Sequence, residues 1–164
     1  MDKEFLKAGN PRKIVACYAG LLGAGLTKIV EDELEIHAKA IYALSVDHFE
    51  FAERQKSAEW RQKVSRYYYA CYNASKAVRF HFDANLSTDV SDHKKIGELP
   101  NDFPNREYYK NTLDAMRTDR NSCDYDHAVT VTDLLKKPEE TGKIAEEFLA
   151  DVQSYCLSRG LDLR

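Results

Sequence analysis

The chain has 164 residues, of which 43% are hydrophobic and 31% are charged. This length fits one domain with a core of its own, and the composition is that of an ordinary soluble protein that is slightly rich in charge. The formal net charge of −3 excludes a uniformly basic nucleic-acid binder, so any contact with RNA or DNA has to be local or created by assembly.

The first thirty residues differ from the rest of the chain. Asn10-Pro11 is a typical helix start, and an apolar run from Ile14 to Leu26 follows two basic residues. That run resembles the core of a signal peptide, so a secreted or membrane form is one alternative, but it is too short to span a bilayer. We therefore expect a short extra helix and no membrane segment. The glycines at 20, 23 and 25 lack a phosphate-loop spacing and predict a break or a close-packed turn between helices.

The spacing of apolar residues predicts four long helices. They run from about Ile29 to Arg54, from Ser57 to Asp83, from Asn105 through the stretch that ends near His127, and from just after Pro138-Glu139-Glu140 to a stop at Gly160. Between them we expect a loop over residues 84–105 with a short helix from His93 to Leu99, and an extended or turn segment over residues 128–137. The predicted fold class is all-α, a bundle of four main helices plus short extra ones.

The four cysteines lie far apart in the sequence, at positions 17, 71, 123 and 156. They form no zinc-binding spacing, so we predict no metal site and no cofactor. Cys71, Cys123 and Cys156 stand among helical apolar residues, which is typical of reduced cysteines that act as small hydrophobic side chains in a cytoplasmic protein.

The stretch from Met116 to His127 has the composition of a site. Arg120 prolongs an apolar stripe with spacings of four, three and four, formed by Tyr109, Leu113 and Met116. If the helix continues, Asp124 and His127 follow on the same side, and inward-facing polar groups need partners or a purpose. The alternative is structural: Arg120 pairs with Asp124 across one turn, and Asp126 and His127 cap the helix end.

The second predicted helix contains a dense group of tyrosines, Tyr67, Tyr68, Tyr69 and Tyr72. Aromatic rings beside basic residues can stack on nucleobases, but a helical run of tyrosines is more typical of packing with hydroxyls at the rim. A different face of the same helix carries polar residues at positions 66, 73 and 76.

Three stretches together resemble the HEPN domain family, in the branch of bacterial toxin–antitoxin and mobile-element proteins. Residues 66–77, Arg-Tyr-Tyr-Tyr-Ala-Cys-Tyr-Asn-Ala-Ser-Lys-Ala, look like the Tyr-Tyr-Ala-x-aromatic-x-Ala-x-Lys-Ala signature of that family. Ser91-Asp92-His93 resembles a Ser/Thr-x-His motif that often follows it, and residues 120–126 resemble an Arg-x-x-x-Asp-Tyr element. The resemblance covers roughly residues 34–157.

This resemblance implies a HEPN-like helical domain over residues 31–164, an N-terminal extension with a short helix over residues 1–30, and a homodimer with the motif helices adjacent. Many HEPN proteins are similar to metal-independent endoribonucleases whose motif is an arginine, commonly a polar residue next, and then a histidine. Here Arg120, Asn121 and His127 match that pattern, although related toxins place the histidine before the tyrosine and this chain has Tyr125 before His127. The arginine would hold the scissile phosphate, the histidine would transfer a proton, and the asparagine would orient either.

The same resemblance implies supporting residues that bind phosphate or RNA, namely Arg66, Tyr69, Asn73, Lys76, Arg117, Asp124 and Tyr125. One expectation is therefore a ribonuclease toxin or antiviral defence effector. A second is a non-catalytic module that binds a nucleotide or a partner, such as an antitoxin or a nucleotidyltransferase, with Tyr125 as a possible modification acceptor. A third is a structural helical subunit in which the polar cluster is an ion-pair network.

Overall fold

The computed structural model describes residues 10–84 and 90–164, and expectations for residues 1–9 and 85–89 lie outside that part. It contains four long helices, which are α1 (Pro11–Arg54), α2 (Trp60–Asp83), α3 (Arg106–Tyr125) and α4 (Pro138–Leu157). Three short 3-10 helices connect them: Ser57–Glu59, Val90–Lys95 and Val131–Asp133. No strand occurs within the described ranges, so the predicted all-α class and helical bundle are confirmed.

Helix α1 begins earlier than its predicted start near Ile29 and is interrupted at Gly23, which has φ 71° and ψ 162°. This backbone conformation favours glycine because a Cβ atom would be strained there, and the predicted glycine break is confirmed. The part of α1 before Gly23 reaches the C-terminal end of α2. Arg12 Nε donates to the His81 carbonyl at 2.5 Å, and the Asn10 amide donates to the Asp83 carbonyl.

Helix α2 lies at the centre of the bundle and packs against α1, α3 and α4. The core consists of large side chains that are almost fully buried, with Leu34 from α1, Tyr68 and Phe80 from α2, Leu113 and Met116 from α3, and Phe148 and Val152 from α4. Burial of each such side chain stabilises the fold by roughly 1.5–3 kcal/mol. Cys71, Cys123 and Cys156 are buried free thiols, as predicted, whereas Cys17 is exposed.

Two connections differ from their predicted form. The short helix expected over residues 93–99 is instead the 3-10 helix Val90–Lys95, because the Asp92 carboxylate binds Tyr72 and Arg79 and so holds this segment against α2. Helix α3 ends at Tyr125, and Asp126 is extended with φ −101° and ψ 111°. His127 therefore does not continue the Arg120 stripe, and the segment after it turns away from the helix axis.

None of the helices in residues 10–84 and 90–164 combines the length and hydrophobicity that crossing a bilayer requires.

Candidate functional site

Arg120 lies on α3 where this helix faces the tyrosines of α2. Its side chain is mostly buried, and the guanidinium carbon lies 5.0 Å from the ring centre of Tyr69 and 5.7 Å from that of Tyr68. Arg120 Nη2 donates to the Tyr69 hydroxyl, and Nε lies 2.9 Å from Asp124 Oδ2. The predicted Arg120–Asp124 ion pair is therefore formed, and aromatic rings hold the cation in one place.

His93 contacts the same two tyrosines. Its ring stacks on Tyr72 with ring centres 4.3 Å apart, and its Nδ1 lies 2.8 Å from the Tyr68 hydroxyl. The His93 ring also packs edge-on against Tyr69, with centres 6.1 Å apart. Tyr68 and Tyr69 thus contact both His93 and Arg120, so the structure gathers a histidine and an arginine that lie 27 positions apart in sequence.

A buried ion pair fixes the segment that carries His93. The Asp92 carboxylate is almost fully buried and accepts from Arg79 Nη1 at 3.0 Å and from the Tyr72 hydroxyl at 2.7 Å. Burial alone would raise the pKa of Asp92, but the hydrogen bonds from Arg79 and Tyr72 outweigh it, and the pKa lies below its ordinary value. Asp92 is therefore ionised at neutral pH and holds its neighbour His93 over α2.

The protonation states follow from burial. Burial, with Arg120 nearby as the next cause, lowers the pKa of His93 below 6.5, and burial raises the pKa of Tyr68 well above 10. At neutral pH, His93 is a neutral imidazole and Tyr68 a neutral phenol. Because Tyr68 is fully buried and His93 is the hydrogen-bond acceptor within its reach, we assign the phenol proton to Nδ1 as a donated hydrogen bond. The ring proton of His93 is then on Nε2.

The predicted supporting residues make the following contacts near Arg120 and His93. Lys76 Nζ is 3.8 Å from Asp92, and Asn73 Nδ2 donates to the Tyr69 carbonyl on its own helix at 2.9 Å. Arg117 pairs with Asp114 at 2.8 Å. Arg66 Nη1 lies 3.3 Å from His48 Nδ1, and its guanidinium carbon lies 5.1 Å from the Phe51 ring centre.

The cluster is locally positive. Five of its side chains are cationic: Arg66, Lys76, Arg79, Arg117 and Arg120. Within residues 10–84 and 90–164, the ion pairs of these cations involve three carboxylates, those of Asp92, Asp114 and Asp124. This excess of positive charge, on a chain whose net charge is −3, supplies the local attraction for anions that the composition as a whole does not.

The other predicted catalytic residues have different surroundings. Asn121 is exposed, and its Oδ1 accepts from Arg120 Nη1 at 2.9 Å. Tyr125 is 72% exposed, and its ring lies 5.7 Å from the Arg120 guanidinium carbon. The His127 side chain is exposed, and the contact the structure gives this residue is its carbonyl, which accepts from Arg61 Nη2 at 3.4 Å. The structure thus joins Arg120, Asn121, Asp124, Tyr69 and Tyr125, and gives His127 no side-chain contact with them within the described residues.

Sequence reasoning did not select His93, Tyr68 or Asp92 as site residues. The available signal was the Ser91-Asp92-His93 motif, whose position relative to Arg120 depends on how the loop folds back on α2. Within the described ranges, no group of three or more His, Cys, Asp or Glu side chains is arranged to hold a metal ion. Comparisons with models of protein families, with curated proteins and with solved structures found no match to this chain.

Proposed function

We propose that this protein is a metal-independent endoribonuclease of the HEPN type, a toxin or defence effector that binds and cuts RNA at the Arg120–His93 cluster. The observation that carries the proposal is the convergence of Arg120 and His93 on Tyr68 and Tyr69. An arginine and a neutral histidine close together are the groups that RNA transesterification uses. The resemblance of the three sequence motifs to HEPN domains supports the same reading.

The reaction class sets a role for each group. The 2′-hydroxyl loses a proton and its oxygen forms a bond to phosphorus, while the bond to the 5′-oxygen breaks and that oxygen takes a proton. Arg120 would hold the phosphate oxygens and stabilise the charge that develops on them. With its resting Nε2–H, His93 would donate to a phosphate oxygen. For His93 to act as the base, its Nε2 proton must first exchange with solvent for one on Nδ1, and the Tyr68 hydroxyl must rotate to accept from Nδ1–H. Nε2 can then take the 2′-hydroxyl proton, and the 5′-oxygen takes its proton from the resulting imidazolium or from water.

The proposal includes a homodimer in the cytoplasm, because two copies of the cluster would double the local positive charge. It also includes an antitoxin or nucleotidyltransferase as a partner. Both features come from the family resemblance.

One observation favours a second function, a module that binds a nucleotide without cutting it. Arg120 is already paired with Asp124 and Tyr69, and the resting tautomer of His93 is a hydrogen-bond donor. In this arrangement the His93 ring can donate to a phosphate anion without any change, whereas cleavage requires His93 to change its tautomer.

An RNA cleavage assay in EDTA tests the proposal. We expect Arg120→Ala and His93→Ala each to slow cleavage by about 100-fold or more, the usual effect of losing an acid–base or charge-stabilising group. Arg54→Ala is the matched control, since it removes an exposed arginine of α1 that lies outside the cluster, and circular dichroism verifies the fold of every variant.

The same assay separates the alternatives. Unchanged cleavage by Arg120→Ala contradicts the proposal. Loss of cleavage in His127→Ala together with full activity in His93→Ala would assign the proton transfer to His127, as the sequence motif predicts. A native protein that binds nucleotides through Arg120 but leaves RNA intact has the second function.

A further inference from the structure

A cleft of about 320 Å³ opens beside Arg120 at the meeting of three helices. It is lined by His48 from α1, by Gln62, Ser65, Arg66 and Tyr69 from α2, and by Asp124 from α3. Two of these residues, Tyr69 and Asp124, are also the ones that bind the Arg120 guanidinium. A group held by Arg120 and a group in the cleft would therefore be neighbours.

Two polar side chains in the cleft have unused hydrogen-bonding capacity. Ser65 is only 7% exposed, yet its hydroxyl makes no hydrogen bond within the part of the chain that the structure describes. The Gln62 amide likewise has no partner among those residues. Both groups line the cleft, so a ligand with donor and acceptor groups could use them without breaking an existing hydrogen bond.

The wall of the cleft is aromatic. The His48 and Tyr69 rings lie 5.5 Å apart and are inclined by 31°. This separation leaves no room for a third ring between them, so a planar ligand would stack against the outer face. Burial, with Arg66 as the next cause, lowers the pKa of His48, which keeps its ring neutral at pH 7.

The cleft is also lined by a cation, Arg66, while the carboxylate in its lining, Asp124, pairs with Arg120 instead. Arg66 contacts the neutral His48 ring and the face of Phe51, and it forms no ion pair within the described residues. An anionic ligand would therefore gain a charged partner there without displacing a carboxylate.

We propose that this cleft binds a nucleobase, the one attached to the nucleotide whose phosphate Arg120 holds. Planar rings for stacking, unpaired amide and hydroxyl groups for the base edge, and an unpaired arginine at the opening are the features that single-stranded RNA recognition requires. A cleft of this volume lies at the lower end of the range of small-ligand sites. The proposal rests on the proposed function in one respect, the phosphate at Arg120.

Binding measurements by calorimetry test it with three kinds of probe: the four nucleoside 5′-monophosphates, ribose 5-phosphate, and inorganic phosphate. We expect at least one nucleoside monophosphate to bind about tenfold more tightly than ribose 5-phosphate, because base–aromatic stacking and edge hydrogen bonds add to the phosphate contact. Ser65→Leu fills the cleft and should lower the affinity for that nucleotide to the affinity for ribose 5-phosphate.

A milder variant covers the case in which Ser65→Leu does not fold. Gln62 is exposed on α2, so Gln62→Ala leaves the core intact and should weaken the nucleotide about fivefold, the effect of one lost hydrogen bond, with no change for ribose 5-phosphate. Gln153→Ala on α4 is the matched control and should change neither affinity.

Two results overturn the inference in different ways. If nucleoside monophosphates and ribose 5-phosphate bind equally well and Arg120→Ala weakens both, the cleft is not a base site while the phosphate site stands. If Arg120→Ala changes the affinity of no probe, the phosphate site is wrong and the base site falls with it.

Discussion

Two loops of this protein each carry a histidine, and an arginine of α2 anchors each loop in a different way. Arg79 pairs with the side chain of Asp92, and the adjacent His93 ring is pressed onto Tyr72. Arg61 instead donates to main-chain carbonyls, those of Cys123, Asp126, His127 and Val129. The first anchor orients a side chain, whereas the second fixes only the path of the backbone.

This difference explains why His93 and His127, which each match a sequence motif, have such different surroundings. A ring that stacks and accepts a hydrogen bond from a buried phenol has one orientation. A residue held by its carbonyl keeps a side chain that is free to rotate. Placing a histidine for chemistry therefore requires an anchor at the side chain or at its direct neighbour.

The largest effect is expected from a substitution that breaks the first anchor, the Arg79–Asp92 ion pair. Asp92→Asn leaves the Arg79 guanidinium buried without its counter-charge and should lower the free energy of unfolding by about 3–5 kcal/mol, measured by urea denaturation at pH 7. Asp114→Asn, which removes an exposed partner of Arg117, is the control and should cost about 0.5 kcal/mol or less.

The pH dependence sharpens this test. Since the folded pKa of Asp92 lies below its unfolded value of about 3.9, its stabilising contribution is present above that pH and is lost as the pH falls through the folded pKa. The difference between native protein and Asp92→Asn should shrink below about pH 4. A difference that stays constant there would contradict the assigned ion pair.

Breaking the second anchor should cost less. Arg61→Ala removes donors to four carbonyls at 2.7 to 3.4 Å on a partly exposed loop, and we expect a loss of about 2 kcal/mol in the free energy of unfolding. Amide hydrogen exchange should accelerate over residues 126–130 and stay slow over residues 90–95. Arg54→Ala, at an exposed position of α1, is the control. Equal acceleration in both loops would mean that they are not anchored separately.

The smallest expected effect concerns the link between the first loop and Arg120. After burial, the Arg120 charge is the next cause that lowers the pKa of His93, so Arg120→Ala should move that pKa upward toward 6.5. The NMR titration of the His93 ring in the native protein and the variant measures the shift. An unchanged midpoint would place the two side chains too far apart to share a ligand.

The sign of the effect on stability also follows. The folded pKa of His93 lies below its unfolded value of about 6.5, so the unfolded chain takes up the proton first as the pH falls. The stability contributed by neutral His93 is complete above about pH 6.5 and declines as the pH falls toward the folded pKa.

Local spacing was enough to predict several of these features. The intervals from Tyr109 through Arg120 predicted α3 and the side of it that faces the core, and the four-residue separation of Arg120 and Asp124 predicted their ion pair. The glycine cluster predicted the interruption at Gly23. All three depend on residues within about three helical turns.

The contacts that make the site depend on tertiary packing. Arg79 lies on the second predicted helix with nothing in its local pattern to show that it would be buried with Asp92, thirteen residues later. The meeting of His93 with Arg120 then depends on that pair. Likewise, the end of α3 at Tyr125 coincides with the carbonyls that Arg61 binds, 62 to 68 residues away in sequence, which no spacing rule within α3 contains.

The interruption at Gly23 constrains the length of the first segment of α1. A single residue with positive φ joins two helical segments, and the segment before it delivers Asn10 and Arg12 to the last carbonyls of α2. Each residue of an α-helix turns the side chains by about 100°. One insertion or deletion between Arg12 and Gly23 would therefore rotate these two donors away from α2. Substitutions that keep the length would leave both donors facing the α2 carbonyls. The length of this segment is constrained more tightly than its composition.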